Sequence, residues 1–206
     1  MKKFTVAATG LLASLTLIGT VLVAPAGATN KPAPPKPPGQ TITDIVSASG
    51  GEFDDNRRDY DILLNAVVTA GLAETLATPG LNVTVWAPND RAFIRLAKDL
   101  GFAGNDEAGA WGFLVQALTG LGGGDPIPVL TAVLTYHVTP GARGVFSVLT
   151  TKTFPTLQGG TITRRFLTLQ DADPDFRDPT LTLPLQVRAS NGIIHTIDRV
   201  LLPINI

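Results

Sequence analysis

The side chains that could carry chemistry in this 206-residue chain are few and unevenly placed. There are two histidines, His137 and His195, and no cysteine. Without thiols there is no disulfide framework, no cysteine-ligated zinc site, no iron–sulfur cluster and no thiol nucleophile. Two imidazoles plus acids would suit a metal-dependent hydrolase only if both rings reached one ion. Carboxylates recur in Asp171-Ala172-Asp173-Pro174-Asp175-Phe176-Arg177-Asp178 at i, i+2, i+4 and i+7. Calcium takes several oxygens from one tight loop. Here Phe176 stands where such a loop turns on glycine, no glutamate closes the loop, and Pro174 and Pro179 restrict wrapping. A solvated loop between two strands is the expectation. No serine occupies a G-x-S-x-G elbow, and neither H-E-x-x-H nor G-K-[ST] occurs. The Gly122-Gly123-Gly124 run meets Asp125, whose charge would repel a phosphate. No catalytic residue, metal or cofactor is assigned, and the chain reads as a non-enzyme.

Composition narrows the partners. Sixteen basic against 17 acidic residues give a net charge of -1, which leaves no basic surplus to neutralise phosphates and argues against a nucleic-acid binder. A hydrophobic fraction of 44% argues against wholesale disorder. Part of that fraction is a leader. Lys2 and Lys3 precede an apolar run from Phe4 to Ala24, broken by Pro25 and followed by Ala26-Gly27-Ala28. This is the pattern of a signal peptide over residues 1–28, cleaved after Ala28, with no further apolar stretch of spanning length. The mature protein is expected to be secreted, extracellular or in the cell envelope, with no membrane span. Residues 29–40 form a Pro-rich linker, with five prolines between Asn30 and Gln40, expected to be extended and semi-rigid.

The globular part, 41–206, opens with a short helix over Asp44–Ala48 capped by Thr43. A charged, solvated loop over Glu52–Asp61 follows, then a helix on which Ile62, Leu63, Ala66, Val67 and Ala70 recur at helical spacing. Val83–Ala87 alternates as a half-buried strand, and Pro88 ends it. Asn89 or Asp90 caps a helix carrying Phe93, Leu96, Ala97 and Leu100, and Asn105 or Asp106 caps the next. Pro126 opens a helix with Leu130, Val133, Leu134 and His137 on one stripe. Beyond Pro140-Gly141 the period changes to two. Strands are expected at Phe154–Leu157, Thr161–Leu169, Leu181–Ala189 and Ile193–Leu202, with Asn191-Gly192 as a two-residue hairpin turn. Helices crowd the first two-thirds and strands the last third, which is α+β segregation in one domain.

Three segments then carry a resemblance. Thr84-Val85-Trp86-Ala87-Pro88-Asn89-Asp90-Arg91-Ala92-Phe93 resembles the first signature of fasciclin-type domains. Val133-Leu134-Thr135-Tyr136-His137-Val138-Thr139-Pro140-Gly141 resembles their central segment. Ser190-Asn191-Gly192-Ile193-Ile194-His195-Thr196-Ile197-Asp198-Arg199-Val200-Leu201-Leu202-Pro203 resembles their closing signature. The resemblance covers about 41–206 and implies a wedge-shaped β-sandwich with several helices packed along it. It also implies an extracellular adhesion or matrix-interaction module whose partner is a protein or a polysaccharide, without catalysis. It marks Tyr136 and His137 as candidate partner-contacting residues. No acid stands in Leu185-Gln186-Val187-Arg188-Ala189, where some relatives carry an adhesion motif, and no Arg-Gly-Asp occurs.

Read physically, the same motifs need no ligand. Thr84, Pro88, Asp90 and Phe93 make a strand-to-helix corner, with Asp90 accepting the unpaired amides of the helix start. Asn191 and Gly192 turn a hairpin, and Asp198 lies at the end of the closing strand. His195 shares a strand face with Ile193 and Ile197, the place of a core histidine with one hydrogen bond. His137 stands at a helix end, where it would meet free carbonyls, and Tyr136 reads as packing. A groove near Tyr136 for a polysaccharide or small ligand is the competing arrangement. The leader yields a direct check: N-terminal sequencing of the exported protein should begin at Thr29, and a chain retaining Phe4–Ala24 would overturn the cleavage.

Overall fold

A computed structural model of the chain describes residues 39–49 and 51–206; the segment expected as a signal peptide, 1–28, the segment expected as a linker as far as residue 38, and Gly50 lie outside the described residues. In chain order the elements are α1 (Ile42–Ala48), α2 (Asp61–Thr69), α3 (Ala73–Ala77), β1 (Val83–Pro88), α4 (Asp90–Asp99), α5 (Glu107–Leu121), α6 (Ile127–Tyr136), β2 (Val138–Pro140), α7 (Val145–Thr150), β3 (Thr153–Pro155), β4 (Thr161–Arg165), β5 (Thr168–Gln170), β6 (Val187–Ala189) and β7 (Gly192–Ile197). The mixture is α+β, as the segregation of periods implies.

Two sheets organise it. One is four-stranded in the order β2-β1-β7-β6, and the other is three-stranded in the order β3-β4-β5. β1 and β7 run parallel in six-residue register, from Val83 opposite Gly192 to Pro88 opposite Ile197; every other neighbouring pair is antiparallel. β1 and β7 are buried at all six positions, so β1 is not the half-buried strand that its alternation suggests. The reason is its place in the layers. Val83, Val85, Ala87 and Ile194 join a core with residues of α1, α2, α4, α5 and α6. Trp86 and Ile197, on the other face, join a second core with Tyr136, Val148, Phe154, Ile162, Leu169, Leu181 and Leu201, which includes the inner residues of β3, β4 and β5. A strand covered on both faces carries apolar side chains on both. Each strand of the three-stranded sheet buries one residue, Phe154, Ile162 or Leu169, while its neighbours are exposed or half-buried.

Helix starts show where local reading and tertiary structure part. α1 is capped by Thr41 rather than Thr43. The Thr41 hydroxyl accepts from Asp44 N at 3.2 Å and Asp44 accepts from Thr41 N at 2.8 Å, a reciprocal box, while Thr43 donates to Ala73 O at 2.9 Å. α4 is capped by Asn89, which accepts from Ala92 N at 3.1 Å. Asp90 does not cap its own helix. It accepts from Asp61 N at 3.1 Å and Ile62 N at 2.7 Å, closing the start of α2, where Tyr60 supplies no side-chain cap. Nor is Glu52–Asp61 wholly solvated, because Asp59 and Asp61 are buried.

The strand boundaries shift for traceable reasons. Thr161–Leu169 is a hairpin, β4 to β5, turned at Phe166 with φ 56°. Only Val187–Ala189 of the expected Leu181–Ala189 strand is a ladder strand, with Leu181 forming an isolated bridge to Ile197. β7 stops at Ile197, not Leu202, because the amides beyond it go to other partners: Asp198 N to Thr180 O, Leu201 N to His137 Nε2 and Leu202 N to Asp171 Oδ2. The short elements α3, α7 and β2 had no periodic signal.

The β6–β7 turn is also one residue earlier than Asn191-Gly192. Ala189 pairs with Gly192, so Ser190-Asn191 is the two-residue loop. Asn191 spends its side chain on tertiary contacts, accepting from Ile42 N at 3.0 Å and donating to Leu76 O at 2.7 Å and Thr78 O at 3.1 Å. Gly192 is required by closeness: a Cβ there would lie 2.5 Å from Val83 O and 2.8 Å from Ile42 Cδ1. Gly192→Ala must push β1 or α1 aside and should cost about 1–3 kcal/mol by chemical denaturation. Ser190→Ala, exposed in the same turn, should stay within about 0.5 kcal/mol of the parent.

Candidate functional site

Tyr136 and His137 sit where α6 passes into β2, and both side chains are buried. The Tyr136 ring belongs to the core between the sheets, and its hydroxyl donates to Thr161 O at 3.1 Å. The ring lies against Gly160, where a Cβ would come within 2.7 Å of it. Burial pushes the phenol up to about 12. His137 is the C-cap of α6. Its Nε2 accepts from Leu201 N at 2.9 Å, which fixes the proton on Nδ1, and Nδ1–H donates to Val133 O at 2.8 Å. Its own carbonyl accepts from Trp86 N at 2.9 Å. One residue thus joins α6, β1 and the closing segment.

His195 is fully buried on β7 and stacks on Trp86 at 5.4 Å between centroids and 28° between planes. It has two contacts rather than the one expected: Nδ1 meets Leu185 O, and Nε2 meets Arg143 O at 2.8 Å. Both partners are backbone carbonyl oxygens. Arg143 lies in the loop after β2, and its guanidinium reaches over Phe154 at 5.9 Å from the ring centroid. Every ring nitrogen of both histidines faces a backbone atom, so the histidine-based hydrolase arrangement is not assembled.

The remaining motif residues are likewise engaged. Thr84 donates to Gly141 O at 2.6 Å and accepts from Arg143 N at 2.8 Å. Pro88 is the last residue of β1, and Phe93 is buried among the helices. Asp198 pairs with Arg95 at 2.8 Å and accepts from Thr180 N at 2.8 Å. The Asp171–Asp178 run is not simply a solvated loop. Asp171 accepts from Leu202 N at 2.8 Å and Asp173 from Ile206 N at 3.1 Å, so the two acids hold the end of the chain. Burial raises the Asp171 carboxyl to about 6. These carboxylates do not converge on a common point among the described residues.

Two features escaped the sequence reading. A cavity of about 70 Å³ lies beneath α1, α2 and α6, lined by apolar residues such as Val46, Leu63, Val67 and Leu134. Sites for small molecules usually measure several hundred Å³, so this is a packing gap rather than a ligand groove beside Tyr136. The second is on the surface. Phe166 is 90% exposed, Leu183 79% and Phe146 78%, and Leu149 and Leu167 are also exposed. They stand on three segments joined by hydrogen bonds: Leu181 N donates to Leu167 O at 2.8 Å, Val145 N to Gln186 Oε1 at 2.7 Å, and Arg164 Nε to Thr151 O at 2.9 Å. In the sequence Phe166 and Leu167 fall within the expected Thr161–Leu169 strand and Leu183 within the expected Leu181–Ala189 strand, where an apolar residue reads as core.

Burial pulls His137 down to about 4 from an ordinary 6.5, so the folded state holds the neutral ring while the unfolded chain accepts a proton. The stability it supplies is complete above about pH 6.5 and is lost as pH falls through 4. The expected measurement is denaturation at pH 7 and pH 4 for the parent and for His137→Gln. The parent should lose up to about 3 kcal/mol more than the variant across that range. Equal acid sensitivity in the two proteins would contradict a neutral buried imidazole.

Comparison with known proteins converges with this geometry. The family model of the fasciclin domain matches residues 58–203. The uncharacterized protein sll1735 of Synechocystis sp. is 32% identical over 145 residues, covering 69% of this chain and 89% of that protein. Among solved structures, a fasciclin domain pair from the insect cell adhesion molecule Fasciclin I superposes with a TM-score of 0.56 at 14% identity, over 80% of this chain. The chain spans about half, 51%, of that two-domain structure, and at this identity the likeness concerns the fold. Among the described residues no helix is long and apolar enough to cross a membrane. The three sequence signatures lie inside the matched region and form its central strands and their supports, and the chain belongs to the fasciclin domain family, in general a family of adhesion and interaction modules.

Proposed function

We propose that this protein is a secreted adhesion or interaction module that meets an extracellular protein partner through the apolar face around Phe146, Phe166 and Leu183. In this reading residues 1–28 are the export signal, 29–40 are a spacer holding the domain off a surface, and 41–206 are the domain. Neither a cofactor nor a catalytic step is invoked.

The observation that carries the reading is Phe166. It is 90% exposed and holds φ 56°, a backbone region that bulky side chains rarely occupy. Arg164 steadies the turn by donating to Phe166 O at 2.7 Å. Presenting an aromatic ring to water in a disfavoured conformation costs stability twice, and a partner that covers the ring recovers the apolar part. Tyr136 and His137 contribute indirectly, by fixing the frame that carries this face. A protein partner is favoured over a polysaccharide because the side chains left most exposed on this face are the phenylalanines and leucine Phe146, Phe166 and Leu183.

The test is binding of the labelled domain to intact cells or matrix from its source. A Phe146→Ser/Phe166→Ser variant should bind at least tenfold more weakly, as loss of aromatic anchors does, with a melting temperature within about 2 °C of the parent. Undiminished binding would refute the surface. Binding that survives protease treatment of the cells but is lost on glycosidase treatment would select the polysaccharide instead.

A further inference from the structure

Five carboxylates meet where α2, α4 and α5 begin. Asp61, Asp90 and Glu107 are the first residues of those helices, and Asp54 and Asp59 come from the loop that leads into α2. Carboxylate oxygens of Asp54, Asp59 and Asp61 lie within 4.8 Å of one another, as do those of Asp59, Asp90 and Glu107, with Asp59 common to both groups. Asp59 is 6% exposed, Glu107 2%, and Asp61 and Asp90 0%.

The hydrogen bonding of these acids is incomplete in a regular way. Asp59 accepts from Asn56 Nδ2 at 2.8 Å on Oδ2, Asp61 from Gly51 N at 2.5 Å on Oδ1, and Glu107 from Asp54 N at 2.9 Å on Oε2. The second oxygen of each, Asp59 Oδ1, Asp61 Oδ2 and Glu107 Oε1, is buried without a partner. The scaffold fixes each of these three carboxylates by one oxygen and leaves the other uncommitted, whereas Asp90 is held by both. Nor is there a cation of the protein's own. The ion pairs among the described residues are Arg95–Asp198 and Arg199–Asp99, and the nearby Arg57, Arg58 and Arg91 are exposed and make none. Three helix N-termini supply about half a positive charge each, well short of five carboxylates. Buried, unpaired charge of this kind is retained only with a counter-charge or by taking up protons.

We propose that Asp54, Asp59, Asp61, Asp90 and Glu107 bind a calcium ion. The donors are all oxygen, with no histidine or cysteine, which excludes a preference for zinc or copper. Several carboxylates on an irregular loop and three helix ends suit the six to eight flexible ligands of calcium better than the strict octahedron of magnesium, which keeps its waters. Exposed Asp54 gives the ion a route in from solvent. Bound there, calcium would lock the 51–60 segment onto three helix starts, a role separate from the apolar face described above.

The competing occupant is protons, since burial and neighbouring acids raise the Asp61, Asp90 and Glu107 carboxyls. The experiment separates the two. The intact exported protein is stripped with EDTA, dialysed at pH 7.5 and melted with 0–5 mM calcium chloride or magnesium chloride, with calorimetric titration of calcium alongside. Calcium should raise Tm by roughly 5 °C or more, and magnesium by much less. In an Asp59→Asn/Glu107→Gln variant the calcium shift should vanish. That variant should melt at or above the stripped parent, because it removes repulsion while keeping shape, so loss of folding cannot be mistaken for loss of binding. A parent that ignores calcium and is stabilised only by lowering the pH would overturn the proposal in favour of protons. An equal response to magnesium would overturn the choice of ion, and a calcium shift that persists in the variant would overturn the location.

Discussion

The parallel pairing of β1 with β7 is the constraint on which the rest of the structure depends. It joins residues more than a hundred positions apart and places both strands between two cores. Parallel neighbours need a long crossover. Here that crossover contains α4, α5, α6 and the whole three-stranded sheet, so about half of the chain is connection between these two strands. Because both are covered on both faces, no position along them tolerates a solvated side chain, and the six-residue register leaves room for Gly192 only where β1 passes closest.

Backbone polarity explains most of the buried polar side chains. Where the ladder ends or a helix starts inside the protein, amides and carbonyls need partners that water does not supply. His137 takes Leu201 N, His195 meets Leu185 O and Arg143 O, Asn191 serves Ile42, Leu76 and Thr78, Asp90 closes α2, and Asp171 takes Leu202 N. Each bridges segments distant in sequence, so these side chains specify how pieces meet as well as filling space. That is a sufficient physical reason for the family signatures to have the residue types they have.

A consequence for function follows. If the signatures maintain the frame, recognition falls to surfaces outside them, where a substitution costs the fold little. The β4–β5 turn, α7 and the 181–186 segment are such surfaces, and they carry the large apolar side chains that packing leaves outside. The acidic convergence at three helix starts is the opposite case: all of it but Asp54 is buried, all of it but Asp90 lies outside the recognised motifs, and its carboxylates exceed what capping requires.

The sequence by itself determined the α+β class, the positions of the long helices, the first strand and the family, because these rest on local period, caps and contiguous motifs. It narrowed two helix starts to Asn89 or Asp90 and to Asn105 or Asp106, since a cap acts within three residues, and Asn89 and Asp106 are the residues that cap. Only the tertiary structure decided that Asp90 serves α2 instead of its own helix, that Asn191 directs its side chain from the turn to α1 and the end of α3, and that the last strand stops at Ile197. In each case the competing partner lies far along the chain, and a hydrogen bond to it outweighs the local option once water is excluded. The acidic cluster shows the same limit. In the sequence Asp54, Asp59 and Asp61 read as solvated charges and Asp90 as a helix cap, and only the packing of three helix ends around one loop brings them together with Glu107, all but Asp54 buried.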